Sequence, residues 1–250
     1  MRNVRINLDY DGTDFRGFVP QPGLRTVGGE LERVLDRVLS RPTRVTPAGR
    51  TDSGVHARGQ VVSFHTESAI PVDDLNGALN PLVGQDVVVL DVAEADPAFD
   101  ARRSAKRRRY AYAIWNGPIR NVWQRRWAAH VDSALDPDAM DEACRPLVGV
   151  HDFAAFRTHK AQDDPGRTTT REVYWARWRR DEMDPRILRF EIEADGFLRH
   201  MVRTIVGSAV QVGLGKLPAA GIAEMLQRGE RAAAGPTAPA HGLTLIGVTY

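Results

Sequence analysis

The sequence has little cysteine and no long apolar run. Its single cysteine, Cys144, cannot form an intramolecular disulfide or a thiolate cluster, which excludes a disulfide scaffold and a cysteine-based zinc site. No apolar run approaches the length that spans a bilayer, and residues 1–5 lack the basic-then-apolar pattern of a signal peptide. We therefore expect a cytoplasmic protein without membrane contact.

An excess of one charge is also missing, because 34 basic residues are balanced by 32 acidic ones. Only three of the basic residues are lysines and the other 31 are arginines, whose planar guanidinium suits phosphate contacts and stacking on bases. A codon bias towards arginine would give the same composition. Net charge alone therefore does not identify a nucleic-acid-binding protein.

Apolar periodicity and turn residues predict two halves of similar element order. The first half has the ferredoxin-like order strand, helix, strand, strand, helix, strand. We expect an α+β fold in which ferredoxin-like halves, residues 1–103 and residues 104–250, join into one mainly antiparallel sheet with helices on one side. The predicted strands are residues 4–10, 43–46, 59–66, 86–92, 106–115, 169–179, 187–194 and 243–248, and the predicted helices are residues 27–39, 72–79, 137–147 and 198–212.

The loop Gly49–Ala57, between two predicted strands, has the sequence Gly-Arg-Thr-Asp-Ser-Gly-Val-His-Ala. Gly49 and Gly54 allow sharp turns, while Arg50 and Asp52 offer a cation and a carboxylate two residues apart. Loops on a rigid sheet often carry reacting groups. The residue types leave another interpretation open, in which Asp52 only stabilises the turn by accepting hydrogen bonds from nearby amides.

This loop resembles the signature loop of the TruA family of tRNA pseudouridine synthases. Other motifs of that family follow in the right order, so that the resemblance covers the chain from end to end. Two positions depart from it, Val19 and Gly28, where glutamine is usual; both lie outside the signature loop. The matching motifs are Tyr10-Asp11-Gly12 with Phe15, Gly17, Phe18 and Gln21, then Arg109–Tyr112, Gly149 with His151–Phe153, Gly196–Arg203, and Pro239 with Gly242–Leu245.

The resemblance implies a pseudouridine synthase fold with an RNA-binding cleft, and a homodimer that isomerises uridines 38, 39 and 40 in the anticodon stem-loop of tRNA. It implies that Asp52 is the essential carboxylate and that Arg203 pairs with it. It also implies that Tyr110 packs on the target base, that Leu243 lines the pocket and that Arg50 enters the space left by the flipped nucleotide.

The reaction detaches uracil at nitrogen and rejoins it at carbon, which requires no redox or metal chemistry. We therefore expect no cofactor and no metal. Asp52 either attacks the anomeric carbon or removes a sugar proton to give a glycal, and the sequence leaves both routes open. A nearby arginine such as Arg203 would favour the ionised carboxylate that both routes need.

The target base must leave the RNA stack before Asp52 can reach it. An aromatic ring such as that of Tyr110 repays part of this cost, since stacking on a base contributes roughly 1–3 kcal/mol. Alternation along the strand places Tyr110 and Tyr112 on one face, so one of them could be a core residue. The alternative for Tyr110 is therefore a purely structural role.

The run Lys106, Arg107, Arg108, Arg109 supplies candidate contacts to the RNA backbone beside Tyr110. As a generic feature, such a run is usually a solvated face. The histidines show no zinc-type spacing, and we interpret His56 and His151 as structural hydrogen-bonding residues.

Two other functions compete with the resemblance. One is a non-catalytic RNA-binding module, which does not explain the intact Gly49–Ala57 loop. The other is a pseudouridine synthase that acts on an RNA other than tRNA. We expect tRNA as the partner, and no DNA.

Overall fold

The computed structural model describes residues 1–158 and 168–250. In this part of the chain, no helix is long and apolar enough to cross a membrane. The strands are β1 Arg2–Tyr10, β2 Thr46–Pro47, β3 His56–Thr66, β4 Val87–Ala95, β5 Arg107–Asn116, β6 Ala129–Val131, β7 Gly149–Asp152, β8 Thr170–Arg180, β9 Ile187–Ala194 and β10 Leu243–Thr249. The α-helices are α1 Val27–Leu39, α2 Val72–Leu79, α3 Pro137–Cys144, α4 Met201–Gly213 and α5 Gly221–Arg228.

The chain folds into two compact units, and the first contains Met1–Arg108 and Thr244–Tyr250. Its strands lie in the order β4, β1, β3, β10. β1 pairs antiparallel with β3 and β4, whereas β10 pairs parallel with β3. Thr26 caps α1 as predicted, because its side chain accepts a hydrogen bond from the amide of Gly29. α1 buries an apolar face of helical spacing.

The second unit contains Arg109–Leu243, and its strands lie in the order β5, β9, β8, β7. β7 and β9 pair antiparallel with β8, whereas the short β6 pairs parallel with β5. α4 is buried over most of its circumference, as its apolar composition predicts. Gly207 on α4 allows the chain near Pro236 to approach closely, since an added Cβ would lie 1.7 Å from the Pro236 carbonyl oxygen.

The α+β class and the mainly antiparallel pairing are confirmed. α2 and β9 have the predicted bounds. The strand predicted at about residues 43–46 is present but shorter and later, since β2 comprises Thr46–Pro47 only. The preceding backbone binds α1 instead, because the amides of Thr43 and Val45 donate to the carboxylates of Asp36 and Glu32.

Two helix bounds also differ from prediction. α3 ends at Cys144 and continues as a short 3-10 turn, Arg145–Leu147, since Pro146 has no amide hydrogen and disfavours helical geometry before it. α4 starts later than predicted because His200 adopts a left-handed conformation, with φ of 62°. β6, β7 and α5 were not predicted. The division of the chain into residues 1–103 and 104–250 stays a prediction.

Candidate active site

The loop between β2 and β3 is held by the segment that follows β1. The amide of Phe18 donates to the carbonyl oxygen of Thr51 at 3.0 Å, and the hydroxyl oxygens of Tyr10 and Thr51 lie 2.7 Å apart. Burial raises the pKa of Tyr10 to about 12, so that its hydroxyl keeps its proton at neutral pH. The residue before Asp52 is thus fixed through both its backbone and its side chain.

The residues after Asp52 are fixed by a different part of the same segment. The hydroxyl of Ser53 and the amide of Gly54 both donate to the carbonyl oxygen of Phe15, at 3.1 and 3.3 Å. The amide of Val55 donates to the carbonyl oxygen of Asp52 at 3.1 Å, which closes a tight turn. Gly54 has a φ of 78°, a conformation that favours glycine. Asp52 therefore lies in a turn that is fixed on both sides.

A buried histidine, His56, and a close backbone contact at Gly12 also hold this loop. The amide of Gly12 donates to Nδ1 of His56 at 3.0 Å, and the same nitrogen lies 3.1 Å from the Asp11 carboxylate. An added Cβ on Gly12 would lie only 2.0 Å from the carbonyl oxygen of Val55, so the two backbones touch. The predicted structural hydrogen bonding of His56 is confirmed. It fixes the end of the loop Gly49–Ala57, which we call the Asp52 loop.

The start of the loop is bonded to β3. The side-chain amide of Gln60 donates to the carbonyl oxygen of Gly49 at 2.7 Å, and its oxygen accepts from the amide of Gly49 at 3.3 Å. Arg50 is exposed and Asp52 is half-buried. The first unit therefore brings Arg50 and Asp52 together on a fixed loop, where a ligand could reach both side chains.

Gly28, where the TruA pattern usually has glutamine, lies in close backbone contact with Phe18. The amide of Gly28 donates to the carbonyl oxygen of Phe18 at 2.8 Å, and an added Cβ would lie 2.6 Å from that same oxygen. A glutamine there would require the two backbones to separate. The other departure, Val19, is 38% exposed and neighbours the same contact.

Tyr110 lies on β5 in the second unit and is 7% exposed. Its ring packs edge to face on that of Phe197, with 5.1 Å between the ring centres and an interplanar angle of 86°. This geometry is typical of a favourable aromatic pair. Phe197 belongs to the Gly196–Arg203 motif, but sequence spacing gave no sign of this contact.

Arg203 lies in the first turn of α4 and is tied to the chain before β10. Its Nε donates to the carbonyl oxygen of Ala238 at 2.7 Å, and the amide of Ala238 donates to the carbonyl oxygen of Arg203 at 3.0 Å. The first turn of α4 contains no acidic residue. A helix N-terminus beside a guanidinium is electropositive, which suits a carboxylate or a phosphate.

Leu243 starts β10 and is 6% exposed. The chain just before it is fixed by Tyr112, whose hydroxyl donates to the carbonyl oxygen of Pro239 at 2.8 Å. An added Cβ on Gly242 would lie 2.6 Å from the Tyr112 ring. Burial raises the pKa of Tyr112, so this hydroxyl keeps its proton. Tyr112 therefore has the structural role that alternation left open for one of the two tyrosines.

The four basic residues before Tyr110 differ in their contacts. Lys106 and Arg107 are exposed, whereas Arg108 and Arg109 are half-buried. Arg108 donates to the carbonyl oxygens of Ala48, Ala105 and Arg102, at distances between 2.5 and 3.2 Å. Because Ala48 immediately precedes the Asp52 loop, Arg108 also supports the start of that loop.

Arg109 forms an ion pair with Glu191 in the second unit, and its guanidinium lies 5.0 Å from the ring centre of Trp175. A second arginine, Arg179, contacts the same carboxylate at 3.0 Å. Burial favours the protonated acid, but the hydrogen bonds from Arg109 and Arg179 outweigh it and hold the pKa of Glu191 below its usual range. The role of this run in RNA binding stays a prediction.

Within residues 1–158 and 168–250, no group of three or more histidine, cysteine, aspartate or glutamate side chains is arranged to hold a metal ion. His151 is a hydrogen-bonding residue as predicted, with Nε2 lying 3.0 Å from the carbonyl oxygen of Val148. His159, which contributed to the prediction of no metal, and the neighbouring Lys160 lie outside the described residues.

The predicted site residues are thus found in two groups. The first unit holds Arg50 and Asp52, and the second holds Tyr110, Arg203 and Leu243. The pairing of Arg203 with Asp52 stays a prediction, as do the catalytic and binding roles of all five residues. Sequence spacing alone did not identify the supporting contacts of Gln60, Phe197 or Arg108, because each joins segments that are distant in sequence.

Comparisons with known proteins include one family model, which matches the C-terminal part of the chain, and relatives that match nearly all of it. The model of a family described as tRNA pseudouridine synthase matches residues 143–250. The tRNA pseudouridine synthase A of Halalkalibacterium halodurans is 43% identical over 244 residues, which cover 97% of this chain and 90% of that protein. The one from Brevibacillus brevis is 43% identical over 253 residues, with 100% of both proteins covered.

Among solved structures, the chain has a weak likeness to the archaeal box H/ACA sRNP Nop10–Cbf5 complex, with a TM-score of 0.36 and 14% identity. The match covers 83% of this chain and 44% of that one. The identity of 43% over nearly the full length of the curated relatives is decisive. This chain belongs to the tRNA pseudouridine synthase A family.

Proposed function

We propose that this chain isomerises uridine to pseudouridine in tRNA, with Asp52 as the catalytic carboxylate and uridines 38, 39 and 40 of the anticodon stem-loop as targets. Membership of the tRNA pseudouridine synthase A family supports the reaction and the substrate. The observation that carries the assignment of Asp52 is its position in a turn that the segment after β1 holds on both sides.

The reaction needs few groups because its atoms balance without a co-substrate. The bond from the anomeric carbon to N1 of uracil breaks, the base turns, and C5 of uracil bonds to the same carbon. C5 then loses its proton and N1 gains one. A carboxylate that attacks the sugar, or removes a sugar proton, is regenerated at the end. The chain's own carboxylate, base-stacking ring and cation are therefore sufficient.

The five site residues have separate roles in the reaction. Asp52 acts on the sugar, and Arg203 pairs with it and keeps it ionised. Tyr110 stacks on the flipped uracil, and Leu243 closes the apolar side of the pocket. Arg50, exposed on the same loop as Asp52, fills the gap that the flipped nucleotide leaves.

The protein acts in the cytoplasm as a homodimer, with tRNA as its substrate. Lys106 and Arg107 contact the RNA backbone through exposed side chains, and the half-buried Arg108 and Arg109 add positive charge beside them.

Mapping of pseudouridine in total tRNA from cells with and without this protein tests the function. We expect pseudouridine at positions 38, 39 and 40 to disappear in its absence. It should return when the gene is restored, but not when the restored gene carries Asp52→Asn. Unchanged modification of these positions in cells that lack the protein would contradict the proposal, and loss of pseudouridine from another RNA would favour the alternative substrate.

A further inference from the structure

The connection between β5 and β6 exposes large apolar side chains that the proposed reaction does not use. Trp123 is 85% exposed, Ile119 78%, Val122 68% and Trp127 45%. Single exposed apolar residues are ordinary, but several large ones within one short segment indicate an interaction site. We call residues 117–127 the Trp123 loop.

The Trp123 loop has a defined backbone conformation. The indole N–H of Trp115 donates to the carbonyl oxygen of Ile119 at 2.8 Å. The side-chain oxygen of Asn121 accepts from the amide of Trp123 at 2.9 Å, and the amide of Trp127 donates to the carbonyl oxygen of Gln124 at 2.9 Å. The exposed indole of Trp123 is therefore presented on an ordered turn, and little backbone entropy would be lost when it binds a partner.

Charge decides which kind of partner fits. The loop contains Arg120, Arg125 and Arg126 and no acidic residue. Arg120 and Arg125 are exposed. Indole and guanidinium groups side by side match the stacked bases and phosphates of single-stranded RNA. Contact between two copies of this loop across a twofold axis would instead bring arginines of like charge together.

We propose that the Trp123 loop binds the RNA substrate outside the catalytic site, with the indole of Trp123 stacked on an unpaired base and with Arg120 and Arg125 on neighbouring phosphates. This inference rests on the proposed function, since it takes tRNA as the substrate. It adds a contact that neither Asp52 nor Tyr110 supplies.

The first test measures the Kd of an unmodified tRNA transcript for the full chain and for Trp123→Ala. We expect the variant to bind about tenfold more weakly, a loss that corresponds to roughly 1.4 kcal/mol and lies within the range for base stacking. Trp123→Phe should recover most of the affinity, because stacking needs an aromatic face. The matched control is Met183→Ala, which truncates a side chain that is 93% exposed elsewhere in the second unit and should leave the Kd unchanged.

The second test replaces Arg120 and Arg125 together by glutamine and follows the Kd across a range of salt concentrations. Two lost phosphate contacts should reduce the slope of log K against log salt by about one to two. Arg228→Gln serves as the control, since its side chain is 65% exposed on α5 and lies outside the loop. An unchanged slope in the double variant would overturn the phosphate contacts.

Three further results separate the possible failures. An unchanged Kd in Trp123→Ala, while the parent chain binds and modifies tRNA, would overturn this inference alone. A fall in molecular mass of Trp123→Ala in light scattering would show a protein interface and would also overturn it. A parent chain that neither binds nor modifies tRNA would instead refute the proposed function. The exposure of Trp123 predicts that Trp123→Ala unfolds at the same temperature as the parent chain, and this result would support a surface role for the indole.

Discussion

The loop around Asp52 and the region around Arg203 are held by different kinds of contact. At the Asp52 loop, the segment after β1 contributes backbone groups, with a close approach at Gly12 and a carbonyl oxygen of Phe15 that accepts two hydrogen bonds. In the Arg203 region, the guanidinium of Arg203 and the hydroxyl of Tyr112 each donate to a carbonyl oxygen. The first region should therefore be sensitive to an added methyl group at Gly12, and the second to loss of the Arg203 guanidinium or the Tyr112 hydroxyl.

The two regions also differ in how readily they can be identified from the sequence. The turn at the Asp52 loop needs glycines and short polar side chains at fixed spacing, and these form a continuous motif. Side-chain contacts join residues from distant elements, so Tyr110, Arg203 and Leu243 stand apart in the sequence. Substitutions in each region test this contrast.

Asp52→Asn should abolish turnover while leaving the fold and tRNA binding intact. The amide keeps the shape of the carboxylate but can neither attack the sugar nor remove a proton, so we expect a loss of at least about a thousandfold. Single-turnover assays of pseudouridine formation give the rate, and filter binding gives the Kd. Substantial residual turnover in the purified variant would show that another group does the chemistry.

Gly12→Ala should damage the Asp52 loop through added volume alone. The new Cβ would lie 2.0 Å from the carbonyl oxygen of Val55, so one of the two backbones must move, at a cost of about 3 kcal/mol. We expect a lower denaturation midpoint and a large loss of activity. The control is Gly77→Ala in α2, where nothing lies within 4 Å and helix propensity should add about 0.5–1 kcal/mol of stability. Equal stabilities of the two variants would contradict the close backbone contact between Gly12 and Val55.

Tyr110→Ala should weaken tRNA binding by about 5- to 100-fold, and Tyr110→Phe should bind normally, because the ring face holds the flipped base. The alanine variant also loses the packing on Phe197 and should be less stable. Binding is therefore compared at a temperature where both variants are folded. If Tyr110→Ala matches the parent in Kd, the ring is only a core residue. Normal binding with slow turnover in Tyr110→Phe would assign the hydroxyl a part in the reaction.

Arg107 and Arg108, although adjacent, should respond differently to substitution. Arg107→Gln removes an exposed charge and should lower the salt slope of tRNA binding by about one, with a smaller loss of stability than a substitution at the half-buried Arg108. Arg108→Gln removes the donor to three carbonyl oxygens and should lower the denaturation midpoint. Similar effects of both variants on both quantities would show that the run acts as one uniform basic surface.

Prediction from the sequence succeeded where a signal was long or local. The helical spacing of α1 and its cap at Thr26 were both visible, and the bounds of α2 and β9 were found. β6 and β7 comprise three and four residues, too few for alternation to be seen. α5 comprises only eight residues and starts at a glycine, a poor helix former, so its signal in the sequence is short.

Prediction of the site has a similar limit. The Asp52 loop was identified from its contiguous motif, but its support could not be foreseen. The four consecutive basic residues at positions 106–109 look equivalent in the sequence. In the structure, Arg108 is bonded to carbonyl oxygens and Arg109 to Glu191, because local geometry gives each residue of the strand a different environment. The missing information is three-dimensional, and composition does not contain it.

The most direct test of the account uses the purified chain, an unmodified tRNA transcript and an excess of chelator, with no nucleotide, flavin or metal beyond the magnesium needed to fold the RNA beforehand. The account predicts that pseudouridine forms at positions 38, 39 and 40 with the parent protein and at none of them with Asp52→Asn. Formation by both proteins, or by neither, would contradict it.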